Sequence, residues 1–238
     1  KSDKSSDSST VKNMSVISDQ IKIITETLPD GVELVAVSKF HPVEALKEAY
    51  DAGQRIFGES RVQEISQKRL LMPDDVQWHF IGHLQTNKVR QVVGKVSMIE
   101  SVDSFRLANE ISRRSEEMGI VTDILVEVNI GGEESKSGIN PSDAESFLQE
   151  ISGLKGIKVQ GLMTIPPICE KNEEILRYFE QMNNLFVDIS HKNIDNINMQ
   201  CYEPEPCEGW FDKLKESVDK LIEDRKNEFG EINNRTID

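Results

Sequence analysis

The stretch LVAVSKFHP, residues 34–42, decides how the rest of the chain is read. Leu34, Val35, Ala36 and Val37 form an unbroken apolar run between polar residues. That is the pattern of a strand covered on both faces, because a parallel sheet under helices leaves no solvated side. Lys39 follows at once, and Pro42 suits the first position of a helix. The nine residues therefore describe a buried strand, a short loop with an ammonium group, and a helix start.

Downstream the same unit recurs. Further strands are expected at RIFGE (55–59), QWHFIG (77–82), VSMIES (96–101), DILVEVN (123–129) and KVQGLMTI (158–165). Between them apolar residues fall at helical spacing, as in Val43, Leu46, Ala49 and Tyr50, or Phe105, Leu107, Ala108 and Ile111. Pro141-Ser142-Asp143 opens a helix with Phe147, Leu148 and Ile151. Such alternation makes an α/β fold with a parallel sheet, either an open doubly wound sheet or a closed (β/α)8 barrel of the TIM type. No G-x-G-x-x-G follows the first strand, which weakens the dinucleotide-binding version. In both architectures ligands collect at the carboxyl ends of the strands, so Lys39, Glu59, Ser60, His83, Asn129 and Met163 are expected around one mouth.

Composition sets the outer limits. The 238 residues are 37% hydrophobic, enough for a sizeable core. A net charge of -14 repels polyanions, and no basic stripe with interleaved aromatics offsets it, so neither nucleic acid nor an anionic membrane is an expected partner. Cys169, Cys201 and Cys207 are odd in number and lack paired C-x-x-C spacing, which signals neither a disulfide framework nor a zinc site. A cytoplasmic protein is expected. Residues 1–12 begin KSDKSSDSST and are expected to form a flexible polar tail, and no run approaches the length of a membrane span.

An ordinary lysine in a strand-to-helix loop is solvated or pairs with a carboxylate. One at the rim of a partly desolvated pocket is a nucleophile toward carbonyls and forms a Schiff base with an aldehyde. Spacing does not choose between them or name the aldehyde.

Five blocks do: VAVSKFHP (35–42), DAGQRIFGESRVQE (51–64), WHFIGHLQTNK (78–88), VNIGGEESKSGI (128–139) and GLMTIP (161–166). In this order and at these spacings the chain resembles the pyridoxal phosphate homeostasis protein family over roughly residues 15–199. The resemblance implies a barrel domain over 13–200 similar to the N-terminal domain of alanine racemase. It also implies pyridoxal phosphate held as a Schiff base on Lys39, and a role in handling the cofactor rather than in a known reaction. Ser60 stands where the family often has Asn, so only a hydroxyl is offered there. Ile81, Gly82 and Met163 match positions that would line the pocket, with plain core packing the other reading. Lys136 matches a loop lysine near the mouth, read as solvated or as a transient aldehyde acceptor. His79 and His83 stand on a strand and its following loop rather than one helical face, which argues against a zinc pair.

The chain departs from the family after residue 200. Residues 201–238 contain neither the S-M-G-M-S-like turn nor the R-I-G-T-like strand end that would supply a phosphate cradle and an arginine facing the pyridine nitrogen. The last one or two strands of the barrel are therefore expected to be missing. In their place stand a charged linker, Glu203-Pro204-Glu205-Pro206, and a helix with an apolar stripe of Trp210, Leu214, Val218, Leu221 and Ile222. Such a helix would cover an open barrel edge or a partner groove. Losing roughly three or four phosphate donors costs on the order of 5 kcal/mol, which implies weaker cofactor binding than in a complete member unless groups such as Arg225 or a second chain rebuild the cradle.

Three function classes remain open. The first is a non-catalytic carrier of pyridoxal phosphate, expected as a monomer, that delivers the cofactor to apoenzymes depending on it. The second is an amino-acid racemase-like enzyme, which would need a second acid-base group from among Tyr50, Tyr178 and Tyr202. The third is a family member that has lost its ligand and acts through its tail.

Overall fold

The computed structural model describes residues 16–169, 171–192, 194 and 197. The expected polar tail, the linker, the helix after Gly209 and the seventh and eighth strands all lie outside these residues.

Each expected strand is present and shorter than expected, with β4 ending one residue later and β5 and β6 starting one residue earlier: β1 (Ala36–Val37), β2 (Ile56–Glu59), β3 (Gln77–Phe80), β4 (Met98–Val102), β5 (Thr122–Glu127) and β6 (Ile157–Met163). They pair in parallel and in chain order, β1-β2-β3-β4-β5-β6. A doubly wound sheet would instead reverse direction and lay later strands on the far side of the first. The consecutive order is that of a barrel wall.

The helices are α1 (Val16–Thr27), α2 (Val43–Asp51), α3 (Val62–Lys68), α4 (Phe105–Glu117), α5 (Ala144–Ile151) and α6 (Asn172–Ser190). In α5 the periodic residues Phe147, Leu148 and Ile151 are all buried. Pro141–Asp143 forms a 3-10 turn ahead of α5, so the α-helix begins at Ala144 rather than at the proline. In α4 Leu107, Ala108 and Ile111 are buried but Phe105, at the first position, is partly exposed. None of the helices among the described residues is long and apolar enough to cross a membrane.

Register sorts the strand faces. Phe57 pairs with Ala36 and Trp78, and this row packs with Leu46 and Ala49 of α2. The larger core joins Phe80, Ile99, Ile124 and Val126 to Ile65, Ile111 and Leu148 on the helices. The opposite row runs Val37, Gly58, His79, Met98, Asp123 and Lys158 and forms the inner face.

One expectation is corrected here. The run at 34–38 is not covered on both faces: β1 has only two ladder residues and Val37 is 51% exposed. Among the described residues β1 is an edge strand, paired to β2 alone, so one of its edges has no neighbouring strand to cover it.

Candidate functional site

β1 runs straight into a tight turn. The Ser38 amide continues the ladder by donating to the Gly58 carbonyl (2.9 Å), and the His41 amide closes back onto the Ser38 carbonyl (3.1 Å). Lys39 occupies the second position of this turn and Phe40 the third, with φ of +66°. Positive φ at the third position alone defines a type II-like turn, where glycine is usual; a bulky side chain there is strained. Lys39 is exposed and has no ion pair with any described residue. The partly desolvated amine expected from the apolar run is thus not observed, for the reason that exposes Val37.

Directly behind the turn lies a buried polar network. Lys68, the last residue of α3, donates from Nζ to the Ser38 carbonyl (2.8 Å), Glu59 Oε1 (2.7 Å) and Glu64 Oε2 (2.7 Å). All three ammonium protons are thereby used. Ser38 Oγ also donates to Glu59 Oε1 (2.7 Å), and the Phe40 amide donates to Glu64 Oε2 (2.9 Å). Lys68 is 6% exposed and Glu59 0%. The Lys68 ammonium and the Phe40 amide both favour the ionised Glu64 and, against partial burial, hold its carboxyl below its ordinary range. Glu59 was expected at the mouth, but it turns toward the helices. Lys68 and Glu64 were missed altogether. The only sequence signal was their i, i+4 spacing, which is common on exposed helices.

Ser60, Ile81 and Gly82 come together at the ends of β2 and β3. Ile81 and Val35 meet over Gly58, where an added Cβ would lie 2.9 Å from Ile81 Cδ1 and 3.2 Å from Val35 Cγ1. Gly82 packs on the backbone of Ser60, and its carbonyl accepts from Ser101 Oγ (2.5 Å). Both Ser60 and Ile81 are half-buried, so a hydroxyl and a methyl surface remain partly open beside the lysine turn. Met163 is also half-buried, but it ends β6, with β2 to β5 between it and Lys39. The described residues do not bring it into the Lys39 group.

At the β4–β5 side of the mouth, Glu127 is buried, with Asp103 and His83 nearby. Burial first, and then the Asp103 carboxylate, raise its carboxyl above the ordinary range, opposed by His83. The folded state therefore holds this proton more tightly than the unfolded chain. Its stabilising contribution is full below the unfolded pKa and is lost as pH rises through the folded pKa. Glu127→Gln removes that loss. Its Tm is expected to exceed that of the parent at about pH 7, and the advantage to vanish near about pH 4, below the ordinary glutamate value. Thermal melts across that range check it.

Asn129 organises the loop that follows β5, donating from Nδ2 to the Glu133 carbonyl (2.8 Å) and accepting from the Glu133 amide (3.2 Å). Lys136 in that loop is not freely solvated. It is half-buried, donates to the Pro166 carbonyl (3.0 Å) and pairs with Glu133 Oε2 (2.6 Å). The two histidines are engaged separately: His79 Nδ1 meets Glu100 Oε1 at 2.6 Å on the inner face, while the exposed His83 lies 3.7 Å from Asp103 Oδ2.

Comparison with known proteins matches this geometry. A family model described as alanine racemase, N-terminal domain, matches residues 13–200. The pyridoxal phosphate homeostasis protein of Aquifex aeolicus is 44% identical over 154 residues, covering 64% of this chain and 68% of that protein. Its namesake in Schizosaccharomyces pombe is 45% identical over 140 residues, 58% of this chain, and the chain spans only 59% of its length. PipY of Synechococcus elongatus has been solved without pyridoxal phosphate (TM-score 0.72, 34% identity) and with it bound (TM-score 0.69, 33% identity). Each superposition covers 76% of this chain, and 86% and 85% of the respective PipY chains. The family model spans the six-strand wall and its lysine turn, and with these relatives the chain belongs to the pyridoxal phosphate homeostasis protein family, with the alanine racemase N-terminal fold.

Proposed function

We propose that this protein binds pyridoxal phosphate, with Lys39 as the residue that takes the aldehyde, and that it handles the cofactor inside the cell without catalysing a reaction on it. The observation behind this reading is the exposed amine of Lys39, without an ion pair among the described residues, on a strained turn at the carboxyl ends of a parallel wall. The donor set fits the cofactor: a primary amine, the Ser60 hydroxyl, and the partly open surface of Ile81 and Gly82 for an aromatic ring. When bound, the cofactor supplies an aldehyde that condenses reversibly with a primary amine. The chain's own part is to present that amine and to keep it free of a competing carboxylate. Met163 would join the pocket from the far side of a closed wall, and apoenzymes that depend on the cofactor are the recipients this reading implies.

Tyr50 does not favour a racemase. Its hydroxyl donates to Asp75 Oδ1 (2.7 Å) beside Arg55, at the amino end of β2 and thus at the other end of the wall from Lys39. A second acid-base group would have to stand across the cofactor at the mouth.

The test is an absorbance titration with pyridoxal phosphate, followed by borohydride reduction and peptide mapping. Label concentrated on Lys39, and its loss in Lys39→Ala with Tm unchanged, is the expected result. Label scattered over surface lysines, equal in the two proteins, would refute the assignment.

A further inference from the structure

Glu64 and Lys68 have no part in the reading above, yet between them they grip the backbone on both sides of Lys39. Lys68 Nζ holds the carbonyl of Ser38, the residue before, and Glu64 Oε2 holds the amide of Phe40, the residue after. Hydrogen bonds to charged groups are the stronger kind, and these two hold the backbone leading into Phe40, the one strained non-glycine residue among those described. A side chain as bulky as Phe40 leaves a left-handed conformation unless its surroundings hold it there, so strain of this kind points to a constraint worth keeping. Phe40 is not held by burial, since it is 67% exposed. The Arg61 guanidinium lies over its ring, 4.5 Å from the centroid, and the backbone is held from behind: Glu59, fully buried, fixes Lys68, and Lys68 fixes Glu64.

We propose that Glu64 and Lys68 are positioning residues that lock the Ser38–His41 turn and so decide where the Lys39 amine stands, an inference that rests on Lys39 being the group that takes pyridoxal phosphate. The lysine stem is flexible, so its Cα is the only part the fold can aim. Pinning the peptides on either side aims it. With Lys68 saturated by three acceptors and Glu64 Oε2 shared between Lys68 and the Phe40 amide, releasing Glu64 frees the Phe40 side of the turn while leaving Lys68 on Glu59 and the Ser38 carbonyl. Small misplacements of a reacting group slow a reaction steeply, so the effect falls on the rate at which Lys39 is labelled.

The experiment uses the full chain and three variants, Glu64→Ala, Glu64→Gln and Lys68→Arg. Each is exposed to pyridoxal phosphate, trapped with borohydride at timed intervals and mapped. In the ligand-free proteins, hydrogen exchange of the Phe40 amide is followed by NMR. In Glu64→Ala we expect the Phe40 amide to lose protection, Lys39 to label about tenfold more slowly and other lysines to gain in share, with Tm moved by only a few degrees. Glu64→Gln keeps an oxygen for the Phe40 amide and is expected to recover most of the rate. Lys68→Arg, which keeps the cation, is expected to label faster than Glu64→Ala. A wild-type labelling rate in Glu64→Ala, or a Phe40 amide still protected there, overturns the proposal while leaving the assignment of Lys39 standing. Absence of Lys39 label in the parent protein would remove that assignment and this inference together.

Discussion

Lys68→Met is expected to destabilise the protein by about 3–5 kcal/mol, read as a shift in the urea midpoint. A pair at i, i+4 on a helix surface is worth only about 0.3–0.5 kcal/mol, which is how the Glu64–Lys68 spacing reads when taken alone. Burial changes the scale. Removing the ammonium strands the Glu59 carboxylate at zero exposure, and Glu59 Oε2 already has no hydrogen-bond partner among the described residues. The cost is the penalty for an uncompensated buried charge rather than the worth of the pair, and that distinction can be checked. The double variant Glu59→Leu with Lys68→Met is expected to recover most of the loss, because well-packed apolar groups often replace buried ion pairs at little cost. A single-variant loss under about 1 kcal/mol would mean that the pair behaves as an exposed one.

Gly82→Ala is expected to cost about 2–3 kcal/mol, the upper part of the range for overpacking. The required Cβ would lie 2.5 Å from the Ser60 carbonyl oxygen and 2.7 Å from Ser60 Cα. These are backbone atoms at a strand end, so nothing can swing aside as the tip of a long side chain would. Gly82 is required here by close approach, since its φ is not positive. The displaced group is Ser60, so labelling of Lys39 by pyridoxal phosphate is expected to weaken together with stability. Ser60→Ala, which removes the hydroxyl and leaves the backbone in place, separates the two effects: its Tm should stay near that of the parent. Chemical denaturation and the borohydride mapping assay, run side by side, give both readouts.

Part of the candidate site's placement was legible before any tertiary information. Lys39 and Ser60 lie at strand ends, local features that periodicity finds, while Ile81 and Gly82 are expected from the family resemblance of the motif that holds them. Glu59 and Lys136 were located correctly in the chain but misjudged in setting. The strand pleat turns Glu59 to the helix side, on the same face as Phe57, and Lys136 is drawn to the Pro166 carbonyl of another loop. Lys68 escaped notice because its partners, Ser38 and Glu59, are 30 and 9 residues away. No helix-length window along the chain contains the Ser38 contact.

By itself the sequence determined the alternation of six strands with helices, the approximate place of each strand and the family to which the motifs belong, because each depends on patterns a few residues long. Tertiary structure decided the rest: that the strands lie in chain order rather than reversing, that Val37 and Lys39 are exposed while Glu59 and Lys68 are buried, and that two charges from α3 hold the turn around the lysine. Burial and ion pairing depend on which strand edges and helix faces meet. Those meetings join residues far apart in the chain, where local pattern carries no information about the partner.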